Sequence, residues 1–317
     1  MEEKEPREKK RLLFGPVRSR RLDRSLGIDL VPRKVCSMDC LYCEVGKTTF
    51  LTTERKFYFT KEEIEEAVFS AKEKQDLFDV FTITGSGEPT LNLYFEETLF
   101  LAKKHLSKPV AVLTNSTFLH LSSVREALCE ADLVLPSLDS AREETFFLIN
   151  RPAKEVSLER IIEGLRCLRR EMKGEMWLEV FFLAGINDTR EDLEALKKAI
   201  EEIDPHRVQL NTAVRPVAYQ GVKPVSYKRL QEIATFLGEK SEVIVSKERL
   251  ERRLLALSLE NLEKEIVAYV KRRPAQLEEL SQAFGVEPKV LLKAIEHLCE
   301  KGLLHLKTLE GQIYYTA

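Results

Sequence analysis

The chain has 317 residues, 44% of them hydrophobic, and 50 Lys and Arg against 52 Asp and Glu leave a formal net charge of −2. Such a chain suits a globular protein of about two domains, excludes a disordered or fibrous one, and is not a globally basic nucleic-acid binder, although local basic patches stay open. No run is long enough to span a membrane, the charged N-terminus lacks the apolar core of a signal peptide, and six irregularly spaced cysteines suit a reducing compartment, so a cytoplasmic protein without a disulfide framework is expected.

Residues 1–25 read as an N-terminal basic arm. Met1 to Arg11 is charged and aperiodic, a frayed tail. Phe14-Gly-Pro-Val-Arg-Ser-Arg-Arg21, followed by Arg24, Arg33 and Lys34, gathers cations whose forks suit a phosphate or carboxylate near the mouth of a site. Leu26 to Val35 is apolar with β-branched residues and reads as the first strand. It runs into Cys36-Ser-Met-Asp-Cys40-Leu-Tyr-Cys43, three thiols spaced C-x3-C-x2-C on a short loop. Thiolates so close can share one inorganic centre, and soft sulfur selects an iron–sulfur cluster or zinc. Structural zinc wants four protein ligands, yet Cys129, Cys167 and Cys299 are far off in sequence and no histidine precedes His105. Three cysteines on a four-iron cubane would instead leave one iron open to another ligand.

With Tyr42 just before the third cysteine, the loop resembles the signature of the radical S-adenosylmethionine (SAM) superfamily. The resemblance implies a [4Fe-4S] cluster on Cys36, Cys40 and Cys43, with SAM chelated at the open iron through its amine and carboxylate. One electron, from a reductant protein such as flavodoxin or ferredoxin, then cleaves SAM to methionine and a 5′-deoxyadenosyl radical that abstracts hydrogen from substrate. The order Phe-Gly-Pro-Val-x-Ser-Arg-Arg-Leu, Ser-Leu-Gly-Ile-Asp and the cysteine loop resembles one branch, iron–sulfur oxidoreductases similar to the tRNA wyosine-synthesis enzymes.

Beyond the loop, strand-like and helix-like segments alternate. Helices are expected at 61–74, where Thr60 and Glu63 form a capping box, and at 93–105, 121–129, 158–171, 189–203 and 228–237. Strands are expected at 80–84, 110–113, 133–138, 176–183 and 208–210. This is α/β: a partial (β/α)6 TIM-like barrel over 26–240, whose functional groups should gather at the carboxyl ends of its strands. There Gly85-Ser86-Gly87-Glu88 resembles the family's GGE motif with a serine for one glycine, which implies contact with the amino group of SAM. Asn115, and Ser137 with Asp139, match by position the residues that bind its ribose and carboxylate. Asn187 and Asn211 end the next two strands and are further cofactor candidates, Asp188 or Thr189 reads as a helix cap, and Arg215 is a candidate substrate contact. Asn150-Arg-Pro152 is a polar insertion without a readable role.

Residues 241–258 read as a linker helix. From 259 to 317, helices at 262–271, 277–284 and 288–301 precede a hairpin with its turn at Leu309-Glu-Gly311, a pattern that resembles a winged helix. Its third helix offers Lys289, Lys293, His297 and Lys301, but Glu296 and Glu300 are interleaved, which argues against tight duplex DNA binding.

The leading reading is a radical SAM enzyme acting on an unidentified substrate, with a tRNA base suggested by the wyosine branch. The wyosine synthases carry further cysteines for a second cluster, and here the other three are scattered singly. A peptide-modifying enzyme that captures substrate with the winged helix is the second reading. A DNA-binding redox sensor in which the cluster is only a signal is the third.

Overall fold

The computed structural model describes residues 12–19, 21–271, 274–309 and 312–317, without the side chains of 249, 251–257 and 309. It divides into one unit up to Lys247 and a second from Glu248 to Ala317. The tail expected over residues 1–11 lies outside the described residues.

Eight strands form the sheet of the first unit: β1 (Leu13–Ser19), β2 (Asp23–Asp29), β5 (Val80–Thr84), β6 (Val110–Thr114), β7 (Leu133–Pro136), β8 (Glu175–Phe182), β9 (Arg207–Thr212) and β10 (Ser241–Val243), side by side in that order. A short parallel pair, β3 (Val35–Cys36) and β4 (Phe50–Leu51), frames the cysteine loop. β1 is antiparallel to β2, and every other pairing in the large sheet is parallel. The outer helices α1 (Lys61–Glu73), α2 (Phe95–His105), α3 (Ser122–Leu128), α5 (Leu158–Glu171), α6 (Arg190–Ile203) and α7 (Tyr227–Leu237) pack each against the next, and α4 (Glu143–Asn150) follows β7. Thr60, Ser157, Thr189 and Ser226 cap α1, α5, α6 and α7, each accepting a backbone N–H of the first turn.

The sheet curls. Flat, β2 and β8 would stand about 19 Å apart, four inter-strand spacings of ~4.8 Å. Yet Arg21, in the turn just before β2, places Nη1 2.9 Å from Oε2 of Glu179 on β8. Leu22 beside it packs with Ala111 and Leu135 from β6 and β7. The β1–β2 turn therefore closes the amino-terminal end of a partial barrel.

Four sequence expectations are corrected here. Residues 13–25 are no arm: β1 and the start of β2 lie among them. Because β2 runs from Asp23 to Asp29, its first residues and those just before it sit at the end of the sheet away from the cysteines, so Arg21 and Arg24 do not line the mouth. Arg21 enters the barrel, and Arg24 pairs with Asp79 at the start of β5, 2.7 Å apart. At the other end, Ser241–Val243 is a strand parallel to β9, so the sheet has seven parallel strands and the linker does not begin at 241. The break expected near 258 is absent as well. One helix, α8, runs from Lys247 to Val270.

In the second unit α8, α9 (Leu277–Phe284) and α10 (Pro288–Glu300) are followed by an antiparallel hairpin, β11 (His305–Leu309) and β12 (Gln312–Thr316). Ile266, Leu280, Leu291, Ile295, Leu298, Leu304 and Tyr315 form its own core.

Candidate functional site

The segment after β2 crosses the carboxyl ends of the strands and is tied to each in turn. Lys34 donates its backbone N–H to Ser86 O at 2.9 Å, and Glu88 donates to Val35 O at 3.2 Å, both just past β5. At the end of β6, Asn115 Nδ2 donates to Ser37 Oγ at 2.9 Å. Tyr42 donates its hydroxyl to Asp139 past β7 and stacks on Phe181 of β8, ring centroids 4.0 Å apart. Beyond β9, Tyr219 donates to Leu41 O. On the flank, Asp39 and Leu41 donate to the carbonyls of Asn150 and Ile149, and Ala153 donates to Ser37 O.

Two buried carboxylates anchor this frame. Glu88, 1% exposed, accepts from Thr90 N and Oγ1, Thr114 Oγ1 and Asn115 N. Asp139, 3% exposed, accepts from Tyr42, from Asn150 Nδ2 at 2.6 Å and from Phe181 N at 2.8 Å. Burial pushes both carboxyls up, Asp139 to about 6. A third carboxylate, Asp29 at the end of β2, accepts from Ser86 N at 2.9 Å and from its hydroxyl. The glycines beside Ser86 are needed for the close approach: a Cβ on Gly87 would lie 1.8 Å from Val35 O, and one on Gly85 2.7 Å from Asp29 Oδ1.

Each thiol has a nitrogen donor of its own. Asn115 Nδ2 stands 3.6 Å from Cys36 Sγ, Asn150 Nδ2 3.4 Å from Cys40 Sγ and Lys34 Nζ 3.1 Å from Cys43 Sγ. Burial, with Glu88 near, pushes the Cys36 thiol up to about 12, and burial, with Asp139 near, pushes Cys40 higher. Neutral buried thiols are inert, whereas a coordinating thiol is deprotonated outright, and three nitrogen donors then meet three thiolates. Among the described residues no three His, Cys, Asp or Glu are placed to hold a single metal ion. Cluster ligands bind separate irons and stand further apart, so soft sulfurs with donors aimed at them fit an iron–sulfur cluster better than zinc. Cys129 caps α3 and Cys167 lies on α5, apart from the loop, and Cys299 lies on α10 of the second unit.

Several residues selected from sequence turn out to be occupied by the frame. Asn187 is 1% exposed, donates to the carbonyls of Asp139 and Phe181 and accepts from Leu183 N, which leaves no free amide hydrogen for a ligand. Asn211 lies inside the barrel, donating to Glu179 Oε1 at 2.9 Å. Both side chains are buried, the Asn187 amide hydrogens being spent on the frame and the Asn211 amide turned to Glu179. Asp139, Glu88 and Asn115 reach the cysteines, but with their polar atoms committed to protein partners. Ser137 is half-buried at the end of β7 and, among the described residues, its hydroxyl carries no hydrogen bond. Arg215 donates to Glu44 Oε2 at 2.7 Å, tying the segment after β9 to the cysteine loop. Asn150 and Asp29 were missed as site residues. Asn150 ends α4, a helix the sequence reading did not find, and only a contact map reveals that it meets Cys40.

A family model described as the radical SAM superfamily matches residues 30–200. A UPF0026 protein of Methanocaldococcus jannaschii is 30% identical over 313 residues, 96% of this chain and 95% of its own length. A protein of Brachyspira hyodysenteriae named GTPase Obg is 32% identical over 307 residues, 97% of this chain, but the chain spans only 45% of that relative's length. Among solved structures, a radical SAM methyltransferase from Sphaerobacter thermophilus is alike in fold, with a TM-score of 0.51 at 16% identity over 69% of this chain and 66% of its own. Members of the superfamily bind a [4Fe-4S] cluster and SAM. Since the matched stretch runs from the end of β2 through the cysteine loop and the strand ends that frame it, this chain belongs to the radical SAM superfamily.

Proposed function

We propose that the chain is an enzyme that holds a [4Fe-4S] cluster on Cys36, Cys40 and Cys43 and binds SAM at the iron they leave open. The observation that carries this is the set of three half-buried cysteines, each sulfur met by a separate nitrogen donor. Bound there, the two cofactors would supply radical chemistry for hydrogen-atom abstraction from a substrate. The protein's part is to bind and aim. The backbone of Gly85 and Gly87, the Ser137 hydroxyl and the face of Tyr42 are what the frame leaves for SAM, while Glu88, Asn115 and Asp139 hold the loop in place. Asn187 and Asn211 are not carried into the cofactor site. A flavodoxin- or ferredoxin-like protein is the electron donor in this reading.

The substrate read from the rim is an RNA. Lys47 Nζ and the Arg151 guanidinium each lie 4.6 Å from the centre of the Tyr219 ring, and Arg33 and Arg215 are exposed on the adjoining loops. Aromatic faces flanked by cations suit stacked bases and their phosphates. The second unit is read as a winged helix that contacts substrate or a protein partner. Duplex DNA is disfavoured because Glu263 on α8 takes both His297 and Lys301 of α10, removing cations from that face. The GTPase activity in one relative's name is not carried to this chain.

Anaerobic protein reconstituted with iron and sulfide, then reduced chemically, should convert SAM to 5′-deoxyadenosine, and Cys40→Ala should abolish that product. Protein that takes up iron and sulfide yet leaves SAM intact, or that is isolated with zinc on a fourth protein ligand, would overturn the proposal.

A further inference from the structure

Among the described residues, Lys34 is the one donor to the sulfurs of Cys36, Cys40 and Cys43 that carries a charge. Its side chain is 4% exposed, and among the described residues it forms no ion pair with a carboxylate; the contact of its ammonium is Cys43 Sγ, 3.1 Å away. A buried ammonium without a counter-charge is costly, and such groups are ordinarily paired. Its backbone is also held where a side chain is unfavourable, at φ +61°, a left-handed conformation that glycine or asparagine adopts more easily. The conformation is over-determined: the Lys34 N–H donates to Ser86 O, and its carbonyl accepts from Thr49 N and Phe50 N. Strain maintained at this cost suggests a use for the side chain rather than for the turn.

Resting on the cluster reading above, we infer that Lys34 is a positioning residue that acts through Cys43 to set the reduction potential of the cluster. A cubane on three thiolates carries net negative charge, and one-electron reduction adds another. A fixed positive charge against one sulfur stabilises the reduced form more than the oxidised form and raises the potential, since charge and hydrogen bonds at the sulfurs are the protein's means of tuning it. Asn115 and Asn150 supply neutral donors to the other two sulfurs, so the charge is applied at one corner only. A protein electron donor would then need less driving force to reduce the site.

The test is an anaerobic redox titration of reconstituted full-length protein, without SAM, followed by the electron paramagnetic resonance of the reduced cluster. Lys34→Met and Lys34→Gln should lower the equilibrium constant for reduction at least about tenfold, a shift of about 59 mV to more negative potential for one electron, while Lys34→Arg stays near wild type. Gln against Arg reads the same charge difference if the Met variant does not load. Equal midpoints in all loaded variants overturn the inference, as does loss of iron and sulfide from all three, Arg included, because packing alone would then account for Lys34. A wild-type protein that never loads a cluster overturns the proposed function instead.

Discussion

Gly87 shows how little room the site leaves at the level of single atoms. Its missing Cβ is what allows the backbone past β5 to lie against Val35, one residue before the first cysteine. Gly87→Ala forces either the cysteine loop or the Glu88 anchor to move, and overpacking of this kind costs about 1–3 kcal/mol. The variant should therefore show a lower urea midpoint and less bound iron and sulfide per chain; unchanged loading at unchanged stability would refute the account. The spacing of the cysteines and the glycines around Ser86 were legible in the sequence because both are local. The partners of the sulfurs were not, since Asn115 and Asn150 lie 79 and 110 residues from the cysteines they serve. Asn187 illustrates the converse. An asparagine at a strand end can as well lock neighbouring strands as meet a ligand, and only burial and its three bonds decide which.

At the scale of elements, the parallel strands and outer helices followed from periodicity and caps. The capping box at Thr60 and Glu63, the strand at Val80–Thr84 and the helix at Leu158–Glu171 stand where the pattern put them. The antiparallel β1 did not, because a mostly exposed strand set among arginines reads as a charged arm until its pairing with β2 is known. β8 and β9 are joined at their starts by His206, which donates its backbone N–H to Met176 O while its Nδ1 accepts from Met176 N at 2.9 Å. That acceptor exists only in the neutral ring. Burial, with Arg169 near, holds the imidazole below its ordinary 6.5. The folded state thus binds fewer protons than the unfolded state below that value, so the contribution is present above pH 6.5 and is lost as pH falls through the folded pKa. Between pH 7.5 and 5 the wild type should lose more of its urea midpoint than His206→Asn, whose side-chain oxygen can replace Nδ1 at any pH. Parallel losses would refute this.

On the scale of the whole molecule, the cysteine loop and every partner named for it belong to the first unit, and the second unit has a hydrophobic core of its own. Among the described residues, no helix is long and apolar enough to cross a membrane. The separate cores allow one unit to be damaged without rewriting the other. Leu291 on α10 is fully buried in the second core. Leu291→Ala removes contacts there and leaves a cavity, a loss of about 2–5 kcal/mol for a buried leucine. The expected result is an early loss of helical signal on heating or in urea, while the iron and sulfide content and the visible absorbance of the reconstituted cluster stay at wild-type levels before that transition. If cluster loading instead falls in step with the lost helix, the second unit would be part of what assembles the metal site, and the site could no longer be assigned to the barrel alone.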